Sequence, residues 1–104
     1  MIDDAAADEY AKWFQCLADP TRIKVLHTIA IASAPMTVGE IVEIVGRSQS
    51  TVSRHLQVLA DGQYIFCEPD GVRTMVRVNT SCMSALPAAA AEIMASGAPS
   101  SGGT

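Results

Sequence analysis

Eight of the twelve residues in the run Ser48-Gln49-Ser50-Thr51-Val52-Ser53-Arg54-His55-Leu56-Gln57-Val58-Leu59 carry hydrogen-bonding side chains. On a helix of 3.6 residues per turn, Val52, Leu56 and Leu59 form one dry stripe. Ser50, Arg54 and Gln57 fall on the opposite side, with Thr51 and Ser53 on the flanks. A helix that enters the major groove of DNA needs this division of faces. The dry face fixes it to a domain, and short polar side chains opposite let the backbone come close to base edges. Ser48, Gln49, Ser50, Thr51, Ser53, Arg54, His55 and Gln57 are therefore the candidate DNA-reading residues. An ordinary amphipathic surface helix would show the same stripe, so the flanking segments decide between the two readings.

Other reactive side chains are sparse. Cys16, Cys67 and Cys82 are odd in number and far apart, which fits neither a disulfide framework nor zinc-finger spacing. Cys16 lies on the flank of the first helix expected below, and Cys82 opens the last helix on its apolar side. If those helices pair at a dimer interface, the two thiols approach and form a redox switch or a soft-ion site. The plainer reading makes each a small buried hydrophobe. Cys67 alternates with Ile65 toward the core side of a strand and is read the same way. His27, at the edge of the second helix's apolar face, reads as a half-buried packing residue with no metal role. No nucleophile–base–acid set and no glycine-rich phosphate loop stands out, so neither an enzyme nor a cofactor is expected.

The elements that must position these residues have clear signals. Residues 5–17 read as a helix with Tyr10, Trp13, Phe14 and Leu17 on one stripe. A second helix starts at Asp19-Pro20, a cap followed by a proline suited to the first turn, and Pro35 follows its end. Ile23, Leu26, Ile29 and Ala30 are its expected buried face. Thr37-Val38-Gly39-Glu40 is a capping box opening a third helix, with Ile41, Ile44 and Val45 inward and Gly46 as terminator. Only Gly46 and Arg47 separate it from the next cap, Ser48, so two short helices must cross steeply. The fourth helix covers about 49–61.

The period then changes from 3.6 to 2. Tyr64–Glu68 and Val72–Val78 read as strands around Pro69-Asp70-Gly71. Val72, Thr74, Val76 and Val78 face one side, and Arg73, Met75 and Arg77 the other. This is a hairpin with Arg73 and Arg77 on its open face, suited to touch a phosphate backbone. Residues 81–94 form a last helix with Met83, Leu86, Ala90 and Ile93 roughly in line, which either starts near Ser84 or kinks at Pro87. Residues 1–95 are one domain, and 96–104 have the composition of a disordered tail. The fold expected is mainly α with a small β-hairpin: a winged helix-turn-helix of about five helices and a two-stranded wing.

Length and charge bound the function. The chain has 104 residues, of which 49% are apolar, enough for one core and too short for a separate ligand-binding domain. The net charge of −4 argues against nucleic acid at first sight. Its distribution softens this, because Asp3, Asp4, Asp8 and Glu9 sit in the first ten residues. Between 47 and 77, Arg47, Arg54, Arg73 and Arg77 outnumber Asp61, Glu68 and Asp70. A local patch is what DNA meets, and one this weak implies strongly salt-sensitive binding. No apolar run approaches the ~18 residues of a membrane span, and the acidic N-terminus is unlike a signal peptide. A cytoplasmic protein with no membrane partner is expected.

The segment LADPTRIKVL, the capped third helix, the STVSRHLQVL run and the DG-centred hairpin together resemble the ArsR/SmtB (arsenic-repressor) regulators over about residues 10–93. The resemblance implies a homodimer joined by the first and last helices, with Tyr10, Trp13, Phe14, Leu86 and Ile93 at the interface. It implies binding to an imperfect palindrome in double-stranded DNA, usually to repress. It also implies that Gln49, Ser50, Thr51, Ser53, Arg54 and His55 face DNA. The departures concern sensing. Where many relatives carry Cys-x-Cys and an acidic residue, this chain has Thr37-x-Gly39-Glu40. Where others hold zinc or nickel on the last helix, it has Asn79, Ser81, Glu92 and Ala95. One carboxylate does not make a borderline-metal site, so no metal is expected at the usual positions. Control is then expected from a partner protein, a small organic effector, the thiols or the amount of regulator. A smaller departure is Gln63, where the family usually has glycine, so Gly62 is expected to shift the end of the fourth helix by a residue. The rival readings are a winged-helix protein-interaction module, or an activator or redox-responsive regulator of the same fold. An interaction surface on the fourth helix should be apolar or acidic, whereas this one is small, polar and basic.

Overall fold

In the computed structural model, which describes residues 1–94, every helix begins where a side chain accepts from its free amides. Asp3 caps α1 (Asp4–Cys16), Asp19 caps α2 (Pro20–Ile31) and Thr37 caps α3 (Val38–Val45). Ser48 caps α4 (Gln49–Asp61), and Asn79 accepts from the Ser81 amide at the start of α5 (Thr80–Met94). The capping box of α3 is complete, because the Glu40 carboxylate also accepts from the Thr37 amide at 2.8 Å. Gly46 ends α3 in the left-handed conformation, φ 74°, which a side chain would resist. The tail assigned to 96–104 and the Ala95 position lie outside the described residues.

The sheet is larger than expected. The two-stranded wing, β2 (Ile65–Asp70) and β3 (Arg73–Val78), is joined by β1 (Met36–Thr37) in the antiparallel order β1-β3-β2. Met36 pairs with Val76 and Thr37 with Met75. Two extended residues, the second of them the cap itself, are too few to show alternation, so the capping box hid this strand. Pro69 lies inside β2, opposite Thr74, where an edge strand tolerates its missing donor. The loop is Gly71-Val72, with positive φ at Gly71 as II′ hairpins require at that place.

Val25, Ile29, Ile41, Val52, Leu56, Leu59, Ile65 and Val76 form the core, joined by Tyr64 and Met36. Two inward assignments fail. Ile23 is 52% exposed and Ile44 63% exposed, while Val25 is fully buried. Both helices carry apolar residues on more than one side, so the periodic pattern alone could not single out the inner face. Ile29 is buried as expected, with Leu26, Ala30 and Val45 half-buried. His27 is exposed instead of half-buried. Cys67 is also exposed, because only Ile65 at the base of β2 reaches the core and the hairpin projects from there. Helix α5 runs from Thr80 through Pro87, so the shortened start near Ser84 does not occur.

The end of α4 does not shift. Gly62 has ordinary φ, and Gln63 itself takes φ 65°. The Gln63 amide donates to Ala60 and the Tyr64 amide to Leu59, the bond pair of a Schellman ending. Glycine normally fills that left-handed position, so Gln63→Gly should stabilise the protein by about 0.5–1 kcal/mol after its unfolded-state entropy is counted. Denaturant midpoints at unchanged slope will measure it, and an unchanged or lower midpoint counts against strain at Gln63. Gly62 serves closeness instead: a Cβ there would stand 2.9 Å from the Cys16 sulfur.

Candidate nucleic-acid interface

Helix α4 packs on α2 and α3 through Val52, Leu56 and Leu59, so its other side looks outward. Gln49, Ser50, Ser53, Arg54 and Gln57 are exposed there, and Thr51 is half-buried. Ser48 and Thr51 are partly committed to the cap. The Ser48 hydroxyl accepts from the Thr51 amide at 3.2 Å and donates to the Thr51 hydroxyl at 2.9 Å. The Gln57 amide donates to Asp61 at 2.9 Å. Arg47 and Arg54, among the described residues, pair with no carboxylate. Gln49, Ser53 and Arg54 are thus the outward groups with unspent hydrogen-bonding capacity.

His55 is not among them. It is 7% exposed, with Nδ1 3.2 Å from an Arg22 Nη and Nε2 3.8 Å from Asp19. Arg22 in turn donates through Nε to the Cys16 carbonyl. The assignment of His55 to the DNA face is therefore corrected: it ties α4 to the start of α2 and the end of α1. The helical wheel already contained the signal, since His55 stands three residues after Val52 and four before Leu59. The Asp19 carboxyl is held below the usual range, chiefly by the Arg22 backbone N–H and further by His55. Its contribution is present above the ordinary carboxylate pKa and fades as pH falls through the lowered value.

The wing arginines are less free than the sequence implied. Arg77 lies over the Phe66 ring at 4.5 Å and donates to Glu68 at 3.1 Å. Arg73, near the tip, has only Asp70 at 3.8 Å, with both side chains largely exposed. Such an exposed pair contributes little and can exchange its partner for a phosphate.

Helices α1 and α5 are tied by a side-chain bond. The Tyr10 hydroxyl donates to Glu92, and the Tyr10 and Trp13 rings are 5.3 Å apart. Trp13, Leu17 and Leu86 pack against the core, whereas Phe14, Met83 and Ile93 remain exposed. No residue of α1 is fully buried. At the positions compared with metal ligands on the strength of the resemblance, Thr37 and Glu40 form the capping box, Asn79 bonds the Gln63 carbonyl and the Ser81 amide, and Glu92 holds Tyr10. Among the described residues, no three His, Cys, Asp or Glu side chains gather in a way that could hold a metal ion. No helix there is long and apolar enough to cross a membrane.

The family model described as "Bacterial regulatory protein, arsR family" matches residues 19–65, from the α2 cap to the first residue of β2. A probable mercury resistance operon repressor of Streptomyces lividans is 44% identical over 62% of this chain. The chain belongs to the arsR family. The family model is one of bacterial regulatory proteins, and a second relative, from Mycobacterium tuberculosis, 32% identical over 70% of this chain, is named an HTH-type transcriptional regulator. This member spans half to two thirds the length of the curated relatives it matches, 50% and 66%. The crystal structure of NolR from Sinorhizobium fredii superposes with TM-score 0.70 at 26% identity, covering 90% of this chain and 95% of that one. A homodimeric winged helix-turn-helix DNA-binding domain from Mycobacterium bovis, 23% identical, gives TM-score 0.70 over 89% and 87% of the two chains. It shares the fold.

Proposed function

We propose that this arsR-family protein acts in the cytoplasm as a homodimeric repressor, reading an imperfect palindrome with one α4 per half-site. The carrying observation is the outward face of α4, where Gln49, Ser53 and Arg54 stand exposed and free of internal carboxylates. Gln49 and Ser50 lie at the helix start, the part that meets base edges when a recognition helix enters the major groove. Arg54 reads a guanine edge or a phosphate, and Arg47 and Arg73 reach phosphates on either side. Arg77 stiffens the wing more than it contacts DNA, given its stacking and ion pair. The dimer forms through α1 and α5, whose exposed Phe14, Met83 and Ile93 need a cover. A mycobacterial domain of the same fold is described as homodimeric, which is in keeping with a dimer here. Zinc or nickel is not expected at the usual family positions, where Thr37, Glu40, Asn79 and Glu92 serve as caps and tethers.

The test is titration of labelled duplexes, random and from the protein's own promoter, at several salt concentrations. Binding should weaken steeply with salt, and footprints should show two half-sites about one helical turn apart. Failure to retain any duplex at low salt, with the fold intact, would leave a protein-interaction module as the better reading.

A further inference from the structure

Arg22 stands where three helices meet. Its Nε donates to the carbonyl of Cys16, the last residue of α1, and an Nη lies 3.2 Å from Nδ1 of His55 in the middle of α4. Its own amide donates at 3.1 Å to Asp19, the α2 cap. A guanidinium has donors only, so Nδ1 of His55 accepts. The ring proton of the neutral imidazole then sits on Nε2, the nitrogen that faces Asp19 at 3.8 Å. The planar fork thus grips α1 and α4 at once, and a lysine ammonium lacks that fixed spread. What it joins gives the grip its interest. Helices α2, α3 and α4 and the sheet approach one another closely along their backbones, and α1 and α5 come near this body at fewer places. From α1, the Cys16 thiol donates to the Val58 carbonyl at 3.5 Å, and the Trp13 carbonyl accepts from Tyr64 at 2.8 Å. Helix α5 holds the Gln63 carbonyl through Asn79 and Cys82, beyond the end of α4. The link through Arg22 is half-buried and has a charged donor, which makes it the stronger kind.

We propose that Arg22, acting through His55, is a positioning residue that locks the DNA-reading body to α1 and so fixes the half-site spacing the dimer accepts. This rests on the reading of α1 and α5 as the dimer interface and α4 as the reading helix. In a dimer built through α1, the angle between α1 and each body sets the separation of the two α4 helices. One base pair inserted between the half-sites moves them apart by about 3.4 Å and turns one against the other by about 35°. Two bodies held rigidly cannot follow that change and lose base-edge contacts. Two loosened bodies follow it and keep them. Arg22 therefore adds nothing to the reading of a single half-site and sharpens the choice between spacings.

The experiment uses the full chain as wild type, Arg22→Lys, His55→Leu and His55→Asn, at a temperature where far-ultraviolet circular dichroism shows them folded. Each is titrated with the footprinted promoter duplex, with that duplex lengthened or shortened by a base pair at its centre, and with a single half-site. Wild type should lose about tenfold or more on either altered spacing, as expected for a lost base-edge contact. Arg22→Lys and His55→Leu should lose no more than about twofold there and keep wild-type affinity for the single half-site. His55→Asn keeps an acceptor at the δ position and should restore most of the wild-type preference. Either Arg22→Lys or His55→Leu suffices should the other unfold. A wild-type spacing profile in these variants, or an equal loss on every duplex, overturns the lock. No rescue by His55→Asn relative to His55→Leu overturns the role of the Nδ1 acceptor. A wild type that binds no duplex fails the DNA reading, and one without a preferred spacing fails the paired half-sites. Amide residual dipolar couplings then judge the lock alone: α1 and the body should share one alignment in the wild type and not in Arg22→Lys. A shared alignment in both overturns it.

Discussion

Arg54→Ala should weaken duplex binding by about 10- to 100-fold while leaving thermal stability unchanged; the loss corresponds to ~1–3 kcal/mol for one base-edge contact. Arg54 is exposed and bonded to nothing in its own chain, so its removal costs the fold nothing. Its neighbour should behave oppositely. His55→Ala removes a buried ring held between Arg22 and Asp19, leaving the Arg22 Nη without its acceptor while Asp19 keeps its cap bonds and Arg22 Nε its bond to Cys16. A loss of about 1–3 kcal/mol of stability is expected, the cost of an unsatisfied buried group. Its effect on DNA should come only through displacement of α4, so a lower temperature should restore affinity in His55→Ala and not in Arg54→Ala. Melting curves and duplex titrations on the two variants separate these roles. If His55→Ala is as stable as the wild type and still fails to bind, the imidazole reaches DNA after all.

Removal of residues 1–17 should abolish dimerisation and expose the core. Helix α1 and its C-cap carry Trp13, Cys16 and Leu17 against the core, and the Trp13 carbonyl accepts from the Tyr64 hydroxyl at 2.8 Å. Burial raises the Tyr64 pKa to about 12. The phenol is neutral in the folded protein and supports stability below its ordinary pKa, fading as pH rises toward the raised value. Without α1 this ring and its neighbours meet water, at about 1.5–3 kcal/mol for each large side chain exposed. Phe14→Glu and Ile93→Glu probe the dimer more gently, because both side chains are already exposed in one chain. Sedimentation should then show folded monomers. A double variant that still sediments as a dimer would move the interface elsewhere.

Local signals in the sequence were enough to establish the helices. Caps at Asp19, Thr37 and Ser48 and the left-handed Gly46 act within four residues, and their consequences do not depend on what packs above them. The dry stripe of α4 was legible for the same reason, and so were Gln49, Ser53 and Arg54 as its open face. The strand β1 was not, since two residues carry no period and became a strand only when β3 arrived from forty residues away. The inner faces of α2 and α3 were decided by contact, because apolar residues there lie on several sides. His55 faces inward because Arg22 and Asp19, distant in sequence, offer its nitrogens partners that make burial tolerable. Cys67 is exposed because the hairpin projects from the body, and a strand's alternation cannot say where the core stops. Cys16 and Cys82 meet in one pocket because α1 and α5 converge on the end of α4. That convergence is a property of the packed molecule, and no spacing along the chain contains it.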